Sequence, residues 1–490
     1  MHWIDLSIFI LYMCLLIGIG IYFMRRNKNA DDYFVGGRNM SSLHVGLSVV
    51  ATDVGGGFSI GLGGLGFVMG LSGSWMLFTG LIGAWLSAVF LIPKVSKLEN
   101  FKELYTFPQI FARLYNKRVA FTAGIISAIG YIGFTASQIL AGAKLASASF
   151  VSLNMDTALL IMGIIVVVYT FLGGMKAVIY TDTVQWLVLM AGLIFIGIPL
   201  GYIAVGGYDS IRATVDPEMF SFTNLTWQQA VKWSVTIIPI WFVGMTLYQR
   251  IFSCHDKKTA QRAWYIAGFF EYPVMAFMGV LLGLFSRVAA DQGMFAYLGY
   301  DAIHQLDPEM GLPMLLRTVL PVGLMGLMMS AYFSAIMSTA DSCLIAASGN
   351  LVTDIIGRFV NFGSSHKRIL LLSQFMTLIL GIFALFLASN MQNVLELMLY
   401  SYAFMVSGLF VPVIGAFYWK KSSATAALWA MLIGGGTTIT LIIAHPTLPF
   451  GLDPNIFGIT ASALIFIIFS HIFPSREAKP NIPLNGLAKA

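Results

Sequence analysis

The chain has 490 residues, 58% of them hydrophobic and only 10% charged, whereas a soluble domain carries about 25% charged residues. So little charge excludes a water-covered globule, and the apolar residues fall in runs of about 20, the length a helix needs to cross hydrocarbon. The formal charge of +6 is accounted for by its distribution between loops, which removes any need for a nucleic-acid partner. Forty-nine glycines suit the close packing of membrane helices, and the three cysteines, Cys14, Cys254 and Cys343, are too few and too scattered for a disulfide framework or a zinc site.

Thirteen membrane spans are predicted, at about 4–24, 43–70, 73–93, 119–149, 157–175, 180–203, 228–252, 262–286, 313–347, 367–388, 391–418, 422–444 and 454–474. The first run is too long for a cleavable signal and lacks a small-residue cleavage site. No extramembrane domain is expected, since the polar connections reach only about 25 to 30 residues. If the first span is numbered zero, the next ten form a core numbered one to ten.

Basic residues set the expected orientation. Arg25, Arg26, Lys28 and Arg38 follow span zero, and Lys94, Lys97, Lys102, Arg113, Lys117 and Arg118 follow span two. Arg250, Lys257, Lys258 and Arg262, then Arg358, Lys367 and Arg368, then Lys420 and Lys421 continue the series, while Arg212, Arg287 and Arg317 are the exceptions in alternate loops. The N-terminus is therefore expected outside, and the tail with Arg476 and Lys479 in the cytoplasm.

Two core spans are interrupted. Span one contains Ala51-Thr52-Asp53-Val54-Gly55-Gly56-Gly57. Three glycines in a helix cost about 1 kcal/mol each, and an aspartate at mid-bilayer about 2.5 to 3.5 kcal/mol more. A glycine-rich packing face is one reading. The other is a helix that unwinds beside a cavity and frees carbonyls for a cation. Span six carries Pro239 and Gly244, a second candidate break. Spans one and six are corresponding members of two five-helix halves, and interrupted spans at matching positions point to a transporter binding site.

The polar residues within the spans carry the remaining chemistry. Asp53 is a helix cap or an ion ligand. Asp182, at the predicted start of span five, reads equally as an N-cap or an ion ligand. In span eight Ser338, Asp341 and Ser342 share one helical face, with Ala335 and Thr339 on an adjoining stripe; such oxygens suit hard cations, although membrane serines also bond their own helix backbone. Glu271 lies well inside span seven and is either functional or a structural bond between helices. Glu396 reads as interfacial. Trp75, Phe134, Trp241, Tyr248 and Tyr402 lie near the breaks, where aromatic faces would suit a quaternary ammonium or a ring; belt or packing roles are the alternative.

Four stretches resemble the sodium:solute symporter family, which includes proline, pantothenate, choline, sialic acid and sugar symporters. They are Ala30-Asp31-Asp32-Tyr33-Phe34-Val35-Gly36-Gly37-Arg38, then Tyr169-Thr170-Phe171-Leu172-Gly173-Gly174-Met175-Lys176-Ala177 running on to Gln185, then Ala335 to Ser342, and the break itself. The resemblance covers about residues 5 to 474. It implies a five-plus-five inverted repeat with one helix before it and two after. It also implies a main sodium site from the carbonyls of Ala51, Val54 and Ala335 with the hydroxyls of Ser338 and Thr339. Asp53 matches an aspartate beside that site in proline-type members. Asp182, Ser338, Asp341 and Ser342 match a second sodium site found in some members, with Asp341 standing where others have serine. Val54-Gly55-Gly56-Gly57 looks more like choline-type members, which have tryptophan in place of Asp53.

The expectation is an all-α polytopic membrane protein with the inverted-repeat transporter fold and broken helices one and six. Residues 1–42 are read as a first span and loop, 43–418 as the transport core, and 419–490 as two accessory spans and a tail. The expected function is sodium-coupled import, across the plasma (inner) membrane, of a proline-like amino acid or a quaternary amine such as choline. Sodium and a small solute are the partners, and no residue is catalytic. Gly55, Gly56, Gly57, Trp75, Phe134, Trp241 and Tyr248 are the candidate solute contacts. A proton-coupled carrier, suggested by Glu271, is the alternative. A transporter-like sensor would append a signalling domain, whereas this sequence runs only about 16 residues past its last predicted span.

Overall fold

The computed structural model describes residues 2–26, 35–53, 55–98, 101–150, 153–172, 175–299, 306–358, 366–444 and 446–474. Val54, residues 30–34 and 173–174 of the motifs, and the tail with Arg476 and Lys479 lie outside the described residues. Among the described residues the regular elements are helical, apart from one isolated bridge between Met40 and Cys254.

The principal helices are α1 (Trp3–Arg26), α2 (Ser42–Asp53), α3 (Gly56–Met69), α4 (Trp75–Leu86), α5 (Phe107–Leu114), α6 (Lys117–Ser149), α7 (Met155–Leu172) and α8 (Met175–Gly192). They continue as α9 (Trp227–Val243), α10 (Met245–Ser253), α11 (Lys257–Phe269), α12 (Ala276–Asp291), α13 (Pro308–Val319), α14 (Leu324–Gly349), α15 (His366–Ala388), α16 (Val394–Tyr418), α17 (Ala424–Ala444) and α18 (Pro454–Ile472).

Among the described residues nine helices are long and apolar enough to cross a membrane, or ten if a bent pair counts as one span. Each of the thirteen predicted regions has a helical counterpart. Spans zero and four fall on the shorter apolar helices Trp3–Ile19 and Met155–Thr170, and spans one and two run together in the stretch Gly57–Val95. Within that stretch Gly70 has φ +66° and opens a three-ten turn, Gly70–Ser74, between α3 and α4. A side chain there would be strained, and its Cβ would meet the Met219 carbonyl at 2.1 Å.

Both predicted interruptions are present, and both are narrower than expected. The first separates α2, which ends at Asp53, from α3, which begins at Gly56; Gly55 has φ 16° and ψ −173°, a conformation that no helix continues. Gly56 and Gly57 are already helical. The second is at Gly244 alone (φ −66°, ψ 114°), with a 42° bend between α9 and α10. Pro239, expected to share that break, sits inside α9.

The helix that faces both breaks is α14. Its apolar window is 94% buried inside the protein, against 28% for α18 and 33% for α15, so α14 is the axis and the other two are rim. Its first turn is capped from α1: Asp5 is buried and its Oδ1 accepts from the backbone N–H groups of Gly323 and Gly326 at 2.7 and 2.8 Å, as a carboxylate at a helix N-terminus should. Helices α3 and α12 meet through glycines so closely that a Cβ on Gly283 would lie 2.1 Å from the Gly63 carbonyl. In lipid such close backbone approach supplies the packing that apolar burial supplies in water.

Candidate functional site

The first break and α14 bring three oxygens together. The Thr339 hydroxyl lies 3.1 Å from the Ala51 carbonyl at the end of α2 and 3.1 Å from the Ala335 carbonyl one turn back on its own helix. Gly55 makes this approach possible, since a Cβ there would stand 2.2 Å from Thr339 Oγ1. Carbonyl and hydroxyl oxygens are the hard donors that an alkali cation takes, and Ala51, Ala335 and Thr339 are three of the five residues expected at the main sodium site. Of the other two, Val54 lies outside the described residues, and Ser338 turns aside to donate to Asp182 Oδ1.

Beside this group the acids are divided. Asp53 is buried and accepts from the Tyr402 hydroxyl at 3.1 Å. Its carboxyl also meets that of Glu271, whose partner the sequence could not name. Glu271 is fully buried, and among the described residues neither of its oxygens has a partner at hydrogen-bond geometry. It stands where the chain breaks between α11 and α12, next to Tyr272, which leaves the helical region (φ −138°, ψ 123°), and it faces Gly80 of α4, where a Cβ would be 2.6 Å from its Oε2. Asp53 ends α2 and makes no capping bond to α3, so the capping reading fails there.

Capping also fails for Asp182, which lies about two turns inside α8. Its Oδ2 accepts from the Ser48 hydroxyl at 2.5 Å and from Arg250 Nη2 at 3.1 Å. Arg250 corrects the loop assignment: it belongs to α10, is 0% exposed, and is no topology marker. Asp341 turns away to Thr170 of α7, and Ser342 accepts from Arg250 Nη2 at 3.0 Å.

Of the aromatic candidates, Phe134 stacks edge-on against Tyr402 at 5.0 Å and so lies beside Asp53. Gly57 N–H donates to Gln138 Oε1 at 3.2 Å, which ties α6 to the start of α3. Trp241 packs on Trp264 at 6.3 Å and fills the space that Gly83 leaves on α4. Tyr248 instead stitches the second break, donating to the Phe242 carbonyl at 2.8 Å with its ring on Phe107. Trp75 lies away from both breaks, donating to the Phe222 carbonyl at 2.9 Å. Glu396 is half-buried and bonds Tyr400 and Asn393 on its own helix turn. Sequence reading missed Gln138, Ser48 and Thr52. Only Arg250 had left a signal, because it fell inside a predicted span.

Three comparisons place this geometry among known proteins. The chain is 28% identical to the high-affinity proline transporter PutP of Bacillus subtilis (strain 168), over 91% of this chain and 93% of that one. It is 25% identical to the sodium/pantothenate symporter of Escherichia coli (strain K12), over 93% and 94%. The solved structure of a Na+-coupled sialic acid symporter superposes with a TM-score of 0.81, at 20% identity, covering 97% of this chain and all of that one, and shows the shared inverted-repeat fold. The family model named sodium:solute symporter family matches residues 33–434, and with the broken helices and their oxygens in place the chain belongs to that family.

Proposed function

We propose that this protein imports a small solute bearing a positively charged nitrogen, a proline-like amino acid or a quaternary amine, driven by sodium. The observation that carries the proposal is the first break. There Ala51, Ala335 and Thr339 offer a cluster of oxygens to sodium, and the adjoining Asp53–Glu271 pair has no lysine, arginine or histidine bonded to it among the described residues. Two carboxyl groups buried in contact keep a shared proton unless a positive partner arrives. An ammonium supplies one, with Phe134 and Tyr402 as the adjoining aromatic faces. Val54 and Ser338 complete the proposed sodium shell when Ser338 releases Asp182, and Gly55, Gly56, Gly57 and Trp241 remain proposed neighbours of the solute. The basic loops, without Arg250, still favour the plasma membrane with the N-terminus outside and the C-terminus in the cytoplasm.

The test is thermal stability of the detergent-solubilised protein in sodium or potassium chloride, with L-proline, choline, glycine betaine, pantothenate and glucose. Ligands of the folded state stabilise it by about 2.7 kcal/mol at a hundredfold excess over Kd. Sodium and one of the amine solutes are expected to stabilise together. Stabilisation by glucose or pantothenate alone would reject the solute class. Uptake into proteoliposomes driven by a proton gradient without sodium would replace the reading with proton coupling.

A further inference from the structure

Arg250 holds a position that its sequence neighbours do not explain. It is the side chain just beyond the second break, fully buried, and its guanidinium joins four helices. Nε donates to Ser48 Oγ of α2 at 3.0 Å, and Nη1 to the Thr246 carbonyl of its own helix at 3.2 Å. Nη2 lies 3.1 Å from Asp182 Oδ2 of α8 and 3.0 Å from Ser342 Oγ of α14, and also bonds Thr52 Oγ1 of α2. Asp182 is meanwhile bonded by Ser48 and Ser338. Among the described residues both its oxygens are engaged, and its charge is matched by a side chain as buried as itself.

These oxygens are the set that the family resemblance gives to a second sodium ion. Asp182 and Ser342 bond the guanidinium directly, and Ser338 bonds the carboxylate that the guanidinium neutralises. The fourth residue of that set, Asp341, gives Oδ1 to Thr170, while its buried Oδ2 has no hydrogen-bond partner among the described residues. A sodium ion entering here would set a second positive charge beside the first in a fully buried site, where repulsion is stronger than in solvent. It would also have to break hydrogen bonds that a planar, five-donor guanidinium makes at several points at once.

We infer that Arg250 is the resident cation of this cluster, in place of a second sodium ion, so that the chain carries a single sodium ion, the one at the first break. This rests on the sodium-driven reading above. The guanidinium matches the charge of Asp182 whether or not sodium is present.

The experiment counts ions rather than transport. Radioactive sodium binding to the purified, detergent-solubilised full chain should saturate at one ion per chain, with a Hill coefficient of about 1. Saturation at two overturns the inference, and if Asp341→Ser then lowers the count to one, the extra ion belongs to Asp341. Arg250→Gln uncovers Asp182, Ser338 and Ser342 and should raise the count to two. A folded Arg250→Gln protein that still binds one ion shows that the guanidinium is not what excludes the second, and overturns the inference as well. Should Arg250→Gln not fold, the wild-type count decides alone. The double variant Asp182→Asn, Arg250→Gln removes both charges of the ion pair and should return the count to one. Thr339→Ala should weaken the single wild-type site about tenfold. A wild-type count of zero would sink the sodium-driven reading together with the one-ion count, whereas a count of two would leave that reading intact.

Discussion

Asp182 and Asp53 are both aspartates buried among core helices, and both lie beside α14, yet they are neutralised in different ways. Asp182 has a cation of the chain's own in Arg250, fixed by hydroxyls from α2 and α14. Asp53 has Tyr402 and a second carboxyl, Glu271. The first arrangement is complete without a ligand. On the proposed reading the first holds helices together, and the second receives the positive charge of the solute.

The largest expected effect breaks the complete site. Asp182→Asn leaves a guanidinium buried without its counter-charge, and removing one partner of a buried ion pair costs about 3–5 kcal/mol. The apparent melting temperature in detergent should fall steeply, and adding Arg250→Gln should recover most of the loss. Glu271→Gln has no cation to orphan. Its stability should stay within about 1 kcal/mol of wild type, while affinity for an amine solute falls. Equal destabilisation by the two single variants would erase the distinction.

Next comes the sodium group. Thr339→Ala removes the one side-chain oxygen that already lies between the Ala51 and Ala335 carbonyls. The sodium concentration for half-maximal uptake should rise about tenfold, equivalent to 1.4 kcal/mol. Ser338→Ala should raise it less, because the Ser338 hydroxyl is engaged with Asp182. Sodium titrations of uptake at fixed solute would show both, and an unchanged titration in Thr339→Ala would move the site elsewhere.

How much of this was legible in the sequence follows from what each residue's chemistry signals locally. The break at Gly55 was legible because a glycine run beside an aspartate is costly in a membrane helix. The stripe of Ala335 and Thr339, beside the face of Ser338, Asp341 and Ser342, was legible because spacing alone fixes a face. The partner of Glu271 was not, because Asp53 lies more than two hundred residues away in the chain, and no local pattern encodes that meeting. Arg250 was misread for a related reason: a basic residue near a span end looks like a loop cation until the hydroxyls of distant helices are seen around it. Tyr248 lies at the second break, as its place in the sequence suggests, but that proximity does not fix which way its ring turns, here onto Phe107.

The smallest expected effect tests whether the two halves of the open site are separate. Tyr402→Phe removes the hydroxyl that donates to Asp53 at 3.1 Å and keeps the ring that packs edge-on against Phe134. One hydrogen bond of this kind is worth about 1 kcal/mol net, so solute affinity should fall about fivefold while folding is little changed. Sodium binding in the absence of solute should be untouched, because no oxygen of Tyr402 belongs to the Ala51, Ala335 and Thr339 group. The two measurements are radiolabelled solute binding at saturating sodium and sodium binding without solute. A shift in sodium binding as large as the shift in solute binding would mean that Asp53 serves the ion directly. The carboxyl pair would then belong to the sodium site and not to the solute.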